Sequence, residues 1–328
     1  MNKNSTAVVI PTYNGERFIE ATLDSIARQS MLPDEVIVVD DRSKDDTVGI
    51  VKQIALSSSF PIRVVESVSN SGGPARPMNI GIELSSARYI AMLDQDDLMS
   101  PNRLKHSVSA SAKYPDASFV FGDFHEFSSH CVHIPQSDPA SRSLEISTIC
   151  FEGEPAASFL EGATWRSIFF RDPGIQNSCS NHFFLKSVWK MNGGYRESAF
   201  LASDYDFVIR SFGKGVVWLK EHVFKKRVHD NNAWTLQDHS AVQMLLLQRE
   251  LVSNFELEKH RRVYRELILR NSNRYRWIGK HELAMQYGFE LIRSGYLFTG
   301  AVELTKTFLS QVRSNALMKP ETRTDDRF

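Results

Sequence analysis

Three carboxylates stand within four residues at Asp94-Gln95-Asp96-Asp97, directly after the apolar run Tyr89–Leu93. The run reads as a buried strand. The acids therefore sit at a strand's C-terminal end, which is where ligands bind in an open parallel sheet. If the backbone stays extended, Asp94 and Asp96 face one side, because side chains alternate along a strand. Two such carboxylates repel unless a cation or a proton intervenes. A hard divalent ion with oxygen ligands suits them, and Mg²⁺ or Mn²⁺ often arrives with substrate phosphates. The plainer alternative is that Asp96 or Asp97 caps the helix that follows Pro101.

The elements that must carry these acids repeat at short spacing. Ala7–Ile10, Val36–Val39, Ile62–Val65 and Tyr89–Leu93 are continuous apolar strands, with helical patterns between them over Glu16–Gln29, Thr47–Ile54 and Met78–Ser86. Ser43 is a candidate cap for the second of these helices. Apolar strands alternating with crossover helices predict an α/β, Rossmann-like fold with a mainly parallel central sheet. The second strand also ends in acid, Asp40-Asp41. No GxGxxG follows the first strand and no GxxxxGK[ST] occurs, which argues against dinucleotide and P-loop chemistry. Carboxylates at strand ends, without a backbone phosphate cradle, suggest phosphate held through a metal.

The bulk numbers exclude little. The chain has 328 residues, 42% hydrophobic and 24% charged, with 39 basic and 39 acidic side chains. A zero net charge gives no bulk attraction to nucleic acid. Residues 240–328 carry 15 Lys/Arg and 10 Asp/Glu, a local excess of +5 balanced by −5 before it. Three widely spaced cysteines, Cys131, Cys150 and Cys179, suggest neither a disulfide framework nor a CxxC metal site. The polar N-terminus enters a strand at once, without a signal-peptide pattern. No apolar run reaches the roughly 18–20 residues of a membrane span. These features predict a cytoplasmic setting, compatible with peripheral contact at the inner face of a membrane.

The stretches "VVIPTYNGERFIEATLDSIARQ", "EVIVVDDRSKDDT" and "NSGGPARPMNIGIELSSARYIAMLDQDD" resemble the nucleotide-binding half of family 2 glycosyltransferases, over residues 7–105. The resemblance implies a GT-A fold, a nucleoside-diphosphate sugar donor (a UDP-sugar foremost), a divalent metal (Mn²⁺ or Mg²⁺) and transfer with inversion. It implies that Tyr13 and Asp41 hold the base, with Pro11 and Glu16 shaping that pocket. It also implies that Arg76 approaches base or diphosphate, and that Asp94, Gln95, Asp96 and Asp97 form the DxD segment for ribose and metal. The family often has Gly where Arg42 stands, and Ala-Arg-Asn where this chain reads Arg76-Pro77-Met78-Asn79.

Further along, Ala202–Arg210 opens a helix whose Asp204 matches the family's catalytic base, with Ser203 in place of the usual Glu. Arg227-Val228-His229 resembles the family's R-x-H segment, which gives His229 a place in the metal or diphosphate site. Residues 128–157 are polar and irregular, and the resemblance puts acceptor choice there, for a saccharide, lipid-linked or protein acceptor. Trp165, Phe169, Phe170 and Trp189 suit sugar rings, but so dense an aromatic group fits a core better. A nucleotidyltransferase is the rival enzyme, but Pro11-Thr12-Tyr13-Asn14 replaces its Gly-rich loop. A non-catalytic nucleotide-sugar binding module is the other rival; it predicts loss of Asp204 or of the acids, and both are present.

The expected division is a GT-A domain over residues 1–235, with a donor half at 7–105 and an acceptor half at 106–235, then a helical region over 236–328. Helices are predicted over Leu236–Glu258, Val263–Leu269, His281–Ser294 and Leu297–Val312. Leu283, Tyr287 and Leu291 would form the apolar stripe of the third, and Ala301, Thr305 and Phe308 that of the fourth. These helices offer a face for a homodimer.

Overall fold

The computed structural model describes residues 4–128, 149–151, 154–171, 178–229, 281–293 and 295–317, with 265, 268–269, 272–273 and 276 between. Contacts divide the chain into two compact units, Met1–Ser240 and Ala241–Phe328.

The first unit is built on one sheet. Its first half alternates β1 (Thr6–Thr12), α1 (Ile19–Ala27), β2 (Glu35–Asp40), α2 (Thr47–Ala55), β3 (Ile62–Glu66), α3 (Ala75–Leu84) and β4 (Tyr89–Met92). These four strands lie in the order β3-β2-β1-β4, all parallel. Val8, Val9, Ile10, Val36, Val38, Ile90 and Ala91 are fully buried, as expected for strands covered on both faces. Every βα turn therefore opens on the same sheet edge, the edge that carries Asp40, Asp41 and the acid loop 93–97.

The second half adds β5 (Leu98–Met99), α4 (Arg103–Lys113), β6 (Ala117–Ser128), β7 (Ile149–Phe151), β8 (Glu154–Glu161), α5 (Gly162–Arg171), β9 (Phe183–Leu185), α6 (Lys186–Met191), α7 (Ser203–Arg210) and β10 (Gly215–Val228). The sheet continues β4-β9-β6-β10-β8-β7, and β5 pairs with β10. β9 runs antiparallel between β4 and β6, and β6 runs parallel to β10. Trp165 and Phe169 are completely buried in a stack with Phe121, Trp218 and Tyr205, so they are core. Trp189 is half-buried and donates its indole N–H to Asn79 Oδ1 at 2.9 Å. The Phe170 side chain lies outside the described residues, as does most of the irregular stretch 128–157.

In the second unit, α8 (His281–Arg293) and α9 (Leu297–Leu317) form a hairpin through Gly295, whose φ is +87°. The predicted helix Leu236–Glu258 lies outside the described residues. Tyr287 and Leu291 are buried as expected. The predicted stripe of α9 is not the inward one: Ala301, Thr305 and Phe308 are exposed, and Gly300, Glu303 and Thr307 are buried. The two helices meet at glycines. A Cβ on Gly300 would stand 2.8 Å from the Gly288 carbonyl oxygen, and one on Gly288 would stand 2.8 Å from Leu304 Cδ2. Backbone proximity at these points turns α9 toward its smaller residues. Glu303 is buried there because Arg276 and Lys306 pair with it at 2.8 and 2.9 Å.

Candidate active site

The base side of the site is made by two loops that hold each other. Asp40 bonds the Ser43 amide at 2.9 Å and accepts from the Ser43 and Thr12 hydroxyls, so it closes its own turn. The Asn14 amide donates to Ser43 Oγ and the Lys44 amide to Asn14 Oδ1, both at 2.8 Å. The Glu16 amide donates to Asp45 Oδ2 at 3.1 Å, and the Asp46 amide to Glu16 Oε2 at 2.9 Å. Glu16 thus braces the pocket wall rather than pointing into it, and Pro11 is buried within β1 opposite Val39. Ser43 is no cap for α2: the Thr47 amide is served by Asp45 Oδ1 at 3.1 Å. Arg42 sits at φ +68°, in the left-handed region that glycine occupies freely. That conformation gives a physical reason for glycine to be common there.

Within this frame Asp41 is 3% exposed. Its Oδ2 accepts from the Ser71 amide and hydroxyl, both at 2.8 Å. Its Oδ1 is buried with no hydrogen-bond partner. A buried acceptor left unpaired is costly, and a ligand N–H removes that cost. Tyr13 follows Thr12, whose carbonyl accepts the Asp41 amide at 2.8 Å across the β1–β2 pair, and it is 41% exposed. Gln95 does not face outward: its side chain takes the Tyr13 amide at 2.9 Å and returns a bond to the Tyr13 carbonyl at 3.1 Å. It ties the acid loop to the aromatic residue.

Topology decides what surrounds the acid loop. Because β9 is antiparallel to β4, with Ala91 opposite Phe183, the chain just before β9 runs past the end of β4. This places the 3-10 turn Cys179–Asn181 against residues 93–97. The Cys179 thiol donates to Asp94 Oδ1 at 2.9 Å, and Ser180 Oγ donates to Asp97 Oδ2 at 2.6 Å. Likewise β5 is antiparallel to β10, with Leu98 opposite Lys225, so Arg227 and His229 fall beside Asp97 and Asp96. The Arg227 amide donates to Asp97 Oδ1 and its Nε to the Asp96 carbonyl, both at 2.9 Å. The His229 Nε2 lies 2.8 Å from Asp96 Oδ2, and its ring packs on Phe18 at 4.4 Å.

These contacts sort the acids. The strand ends at Met92 and the loop turns, so Asp94 and Asp96 do not project as neighbours on one strand face. Asp97 is buried with both oxygens bonded to the acceptor half, so it is a strut rather than a ligand facing the cleft, contrary to its expected metal role. Burial first, then the Asp96 charge, pushes the Asp94 carboxyl up to about 6, and the Asp204 charge adds to this. Asp204 lies in the first turn of α7 and accepts the Tyr205 amide at 2.7 Å. Its charge reaches Asp94, Cys179 and Tyr195 alike, so the structure brings it to the acid loop. Asp206 has a different role: it is 1% exposed and bonded by the Arg210 guanidinium at 2.6 and 2.9 Å. Arg76 pairs with the exposed Glu197 at 2.7 Å, not with the acid loop.

Among the described residues, no three His, Cys, Asp or Glu side chains converge as a ready metal cage. The donor chemistry nonetheless fits a hard cation. Such an ion is held by one or two carboxylates with substrate phosphates completing the shell, and Asp94 and Asp96 repel each other without one. Arg227 stood in the R-x-H segment without a role of its own, and Cys179 and Ser180 are the contributors that sequence reasoning missed. Residue type gave no signal, because their partners lie far away in the chain.

The family model for glycosyl transferase family 2 matches residues 7–170. The chain is 33% identical over 105 residues to the poly(ribitol-phosphate) beta-N-acetylglucosaminyltransferase TarS of Staphylococcus aureus, covering 31% of this chain and 18% of that protein. It is 37% identical over 100 residues to the poly(ribitol-phosphate) beta-glucosyltransferase of Bacillus spizizenii, covering 30% of this chain and 16% of that one. The match thus spans less than a fifth of either relative. A longer match, 26% identical over 232 residues, covers 68% of this chain and 64% of an uncharacterised glycosyltransferase of Rickettsia typhi. The crystal structure of S. aureus TarS 1-349 in complex with UDP-GlcNAc superposes with a TM-score of 0.68 at 17% identity, covering 95% of this chain and 92% of that one. At that identity the likeness shows the fold.

Proposed function

The chain belongs to glycosyltransferase family 2, and on that premise we propose that it transfers a sugar, with inversion, from a UDP-sugar to an acceptor hydroxyl. The observation that carries this reading is the joining of two sets of acids in one field, Asp94 and Asp96 at the end of β4 and Asp204 from α7. Asp41 Oδ1 receives a base N–H, and Tyr13 offers its exposed ring to the base. Asp94 meets the ribose. Asp96 and His229 hold a divalent cation, which when bound neutralises charge on the leaving diphosphate. Asp204 takes the acceptor proton as the new bond forms, because a hydroxyl is a poor nucleophile at neutral pH. Its place on a different element from the acid loop suits attack from the side opposite the leaving group.

Two relatives carry names that specify poly(ribitol-phosphate). They support an acceptor in surface polysaccharide or glycoconjugate assembly, whether saccharide, lipid-linked or protein. No helix among the described residues is long and apolar enough to cross a membrane; a cytoplasmic enzyme, with or without peripheral membrane contact, is the setting proposed. Calorimetric titration of UDP with Mn²⁺, repeated in EDTA, tests the donor side. Affinity should fall sharply in EDTA, and Asp96→Ala should reproduce that fall. Equal affinity with and without metal would remove the cation from this scheme. Proton NMR of the product sugar should show the anomeric configuration opposite to the donor's.

A further inference from the structure

The turn that precedes β9 is fixed at one end and grips at the other. Asn181, 1% exposed, exchanges both amide bonds with the Gly122 backbone in β6, at 2.9 Å each. The Ser180 amide donates to Ser178 Oγ at 3.1 Å, which closes the turn. From that anchored turn, Ser180 Oγ accepts the Asp94 amide at 2.9 Å and donates to Asp97 Oδ2 at 2.6 Å. Cys179 donates to Asp94 Oδ1 at 2.9 Å. Both side chains are essentially without solvent exposure.

We infer that Cys179 and Ser180 are positioning residues for the donor site, with the Cys179 S–H fixing the rotamer of Asp94 so that its second oxygen meets the ribose. Neither residue touches the ligand. The chemistry selects the protonated thiol for this task. Burial and the charges of Asp94, Asp204 and Asp97 all oppose a thiolate here. A neutral S–H can donate to a carboxylate, whereas a thiolate would repel it. The backbone of the acid loop is set separately, through Ser180. This division explains why adjacent residues of one turn, Cys179 and Ser180, stand against Asp94 and Asp97. For nucleotide affinity the inference rests on the donor reading above; for the hydrogen bond itself it does not.

Two measurements on the full chain test it. In the first, UDP with Mn²⁺ is titrated into wild type, Cys179→Ser and Cys179→Ala, with melting temperatures recorded alongside. Removing a weak donor to a charged acceptor should weaken UDP binding about three- to tenfold in Cys179→Ala. Cys179→Ser, which keeps an O–H donor, should return to within about twofold of wild type. Equal affinities in the Ala and Ser variants, at any level, would overturn the inference, since a packing role does not distinguish them by donor. The second measurement is the infrared S–H stretch, read as the difference between wild type and Cys179→Ala. The band should lie below the free-thiol position and shift back toward it in Asp94→Ala. An unshifted band overturns the inference. If wild type does not bind UDP, the donor reading falls and the infrared result alone decides the positioning role.

Discussion

The base pocket and the acid loop border the same sheet edge, yet they are held by different parts of the chain. Around the base pocket, residues 13–16 and 40–47 bond to one another, and Ser71 completes the set for Asp41. All of these lie in the first half of the unit. Around the acid loop, the carboxylates of Asp94, Asp96 and Asp97 are met by Cys179, Ser180, Arg227 and His229 from the second half, while Gln95 and the loop carbonyls bond back to Tyr13 and Thr22. The first region is specified locally, so substitutions in it should act on base recognition alone. The second is specified by docking of the two halves, so damage to the far half should reach the donor site.

The largest expected effect falls where the second half contributes chemistry rather than support. Asp204→Asn should lower the transfer rate about 10²–10⁴-fold, the usual contribution of a general base. UDP affinity and melting temperature should stay close to wild type. Near-normal turnover in this variant would make Asp204 another support, like its neighbour Asp206. Asp206→Asn is a poor silent control, because it weakens a buried ion pair with Arg210 and should lower stability.

A smaller effect is expected inside the self-supporting region. Asp41→Asn removes a charged acceptor from the base, and such bonds are worth about 1.5–3 kcal/mol. UDP affinity should therefore fall about tenfold to hundredfold. The fall should appear both with Mn²⁺ and in EDTA, since the Asp41 carboxylate is held by Ser71 and not by the acid loop. A loss seen only with metal would show that the two regions are coupled after all.

The seam between the halves offers a pH test. His182 is completely buried, bonded to the Tyr195 hydroxyl at 2.8 Å, and its carbonyl accepts from the Met92 amide at 2.9 Å. Burial, with the Arg103 charge adding, lowers its imidazole from the ordinary 6.5 to about 3. Between those values the unfolded chain binds a proton that the native state refuses. Its contribution is therefore intact above pH 6.5 and is lost as pH falls toward 3. Between pH 7 and pH 5 this amounts to roughly 2 kcal/mol by linkage. Urea unfolding at the two pH values should show that loss in wild type and much less of it in His182→Gln.

The mildest change sharpens the picture of the first region. Arg42 pays about 1 kcal/mol for its left-handed backbone. Arg42→Gly should raise the melting temperature slightly and leave UDP affinity unchanged. A drop in affinity would give the Arg42 side chain a place at the nucleotide.

Much of the first half was legible in the residue order. Continuous apolar strands ending in acid, with helical spacing between, specify β1 to β4 and their crossovers through local periodicity. The type and strand-end position of Asp41, Asp94 and Asp96 marked them as candidates, and the family resemblance marked Asp204. Their surroundings were not legible. Pro11 and Glu16 were expected to shape the pocket and stand in or brace its wall, whereas Gln95, expected in the ligand-binding segment, bonds the Tyr13 backbone. Arg76 was expected at the base or diphosphate; its guanidinium pairs with Glu197, and the Asp41 charge reaches it.

The sequence by itself determined which elements form and which strand ends carry acid, because both follow from neighbours a few residues apart. Tertiary structure alone decided which acids face the cleft. A carboxylate's role depends on the donors around it, and here those donors come from distant segments. They arrive because β9 slots antiparallel between β4 and β6, and because β10 turns back along β5. The same holds for the inward face of α9. Helical periodicity offers several candidate stripes, and the close approach of Gly288 and Gly300 selects one of them.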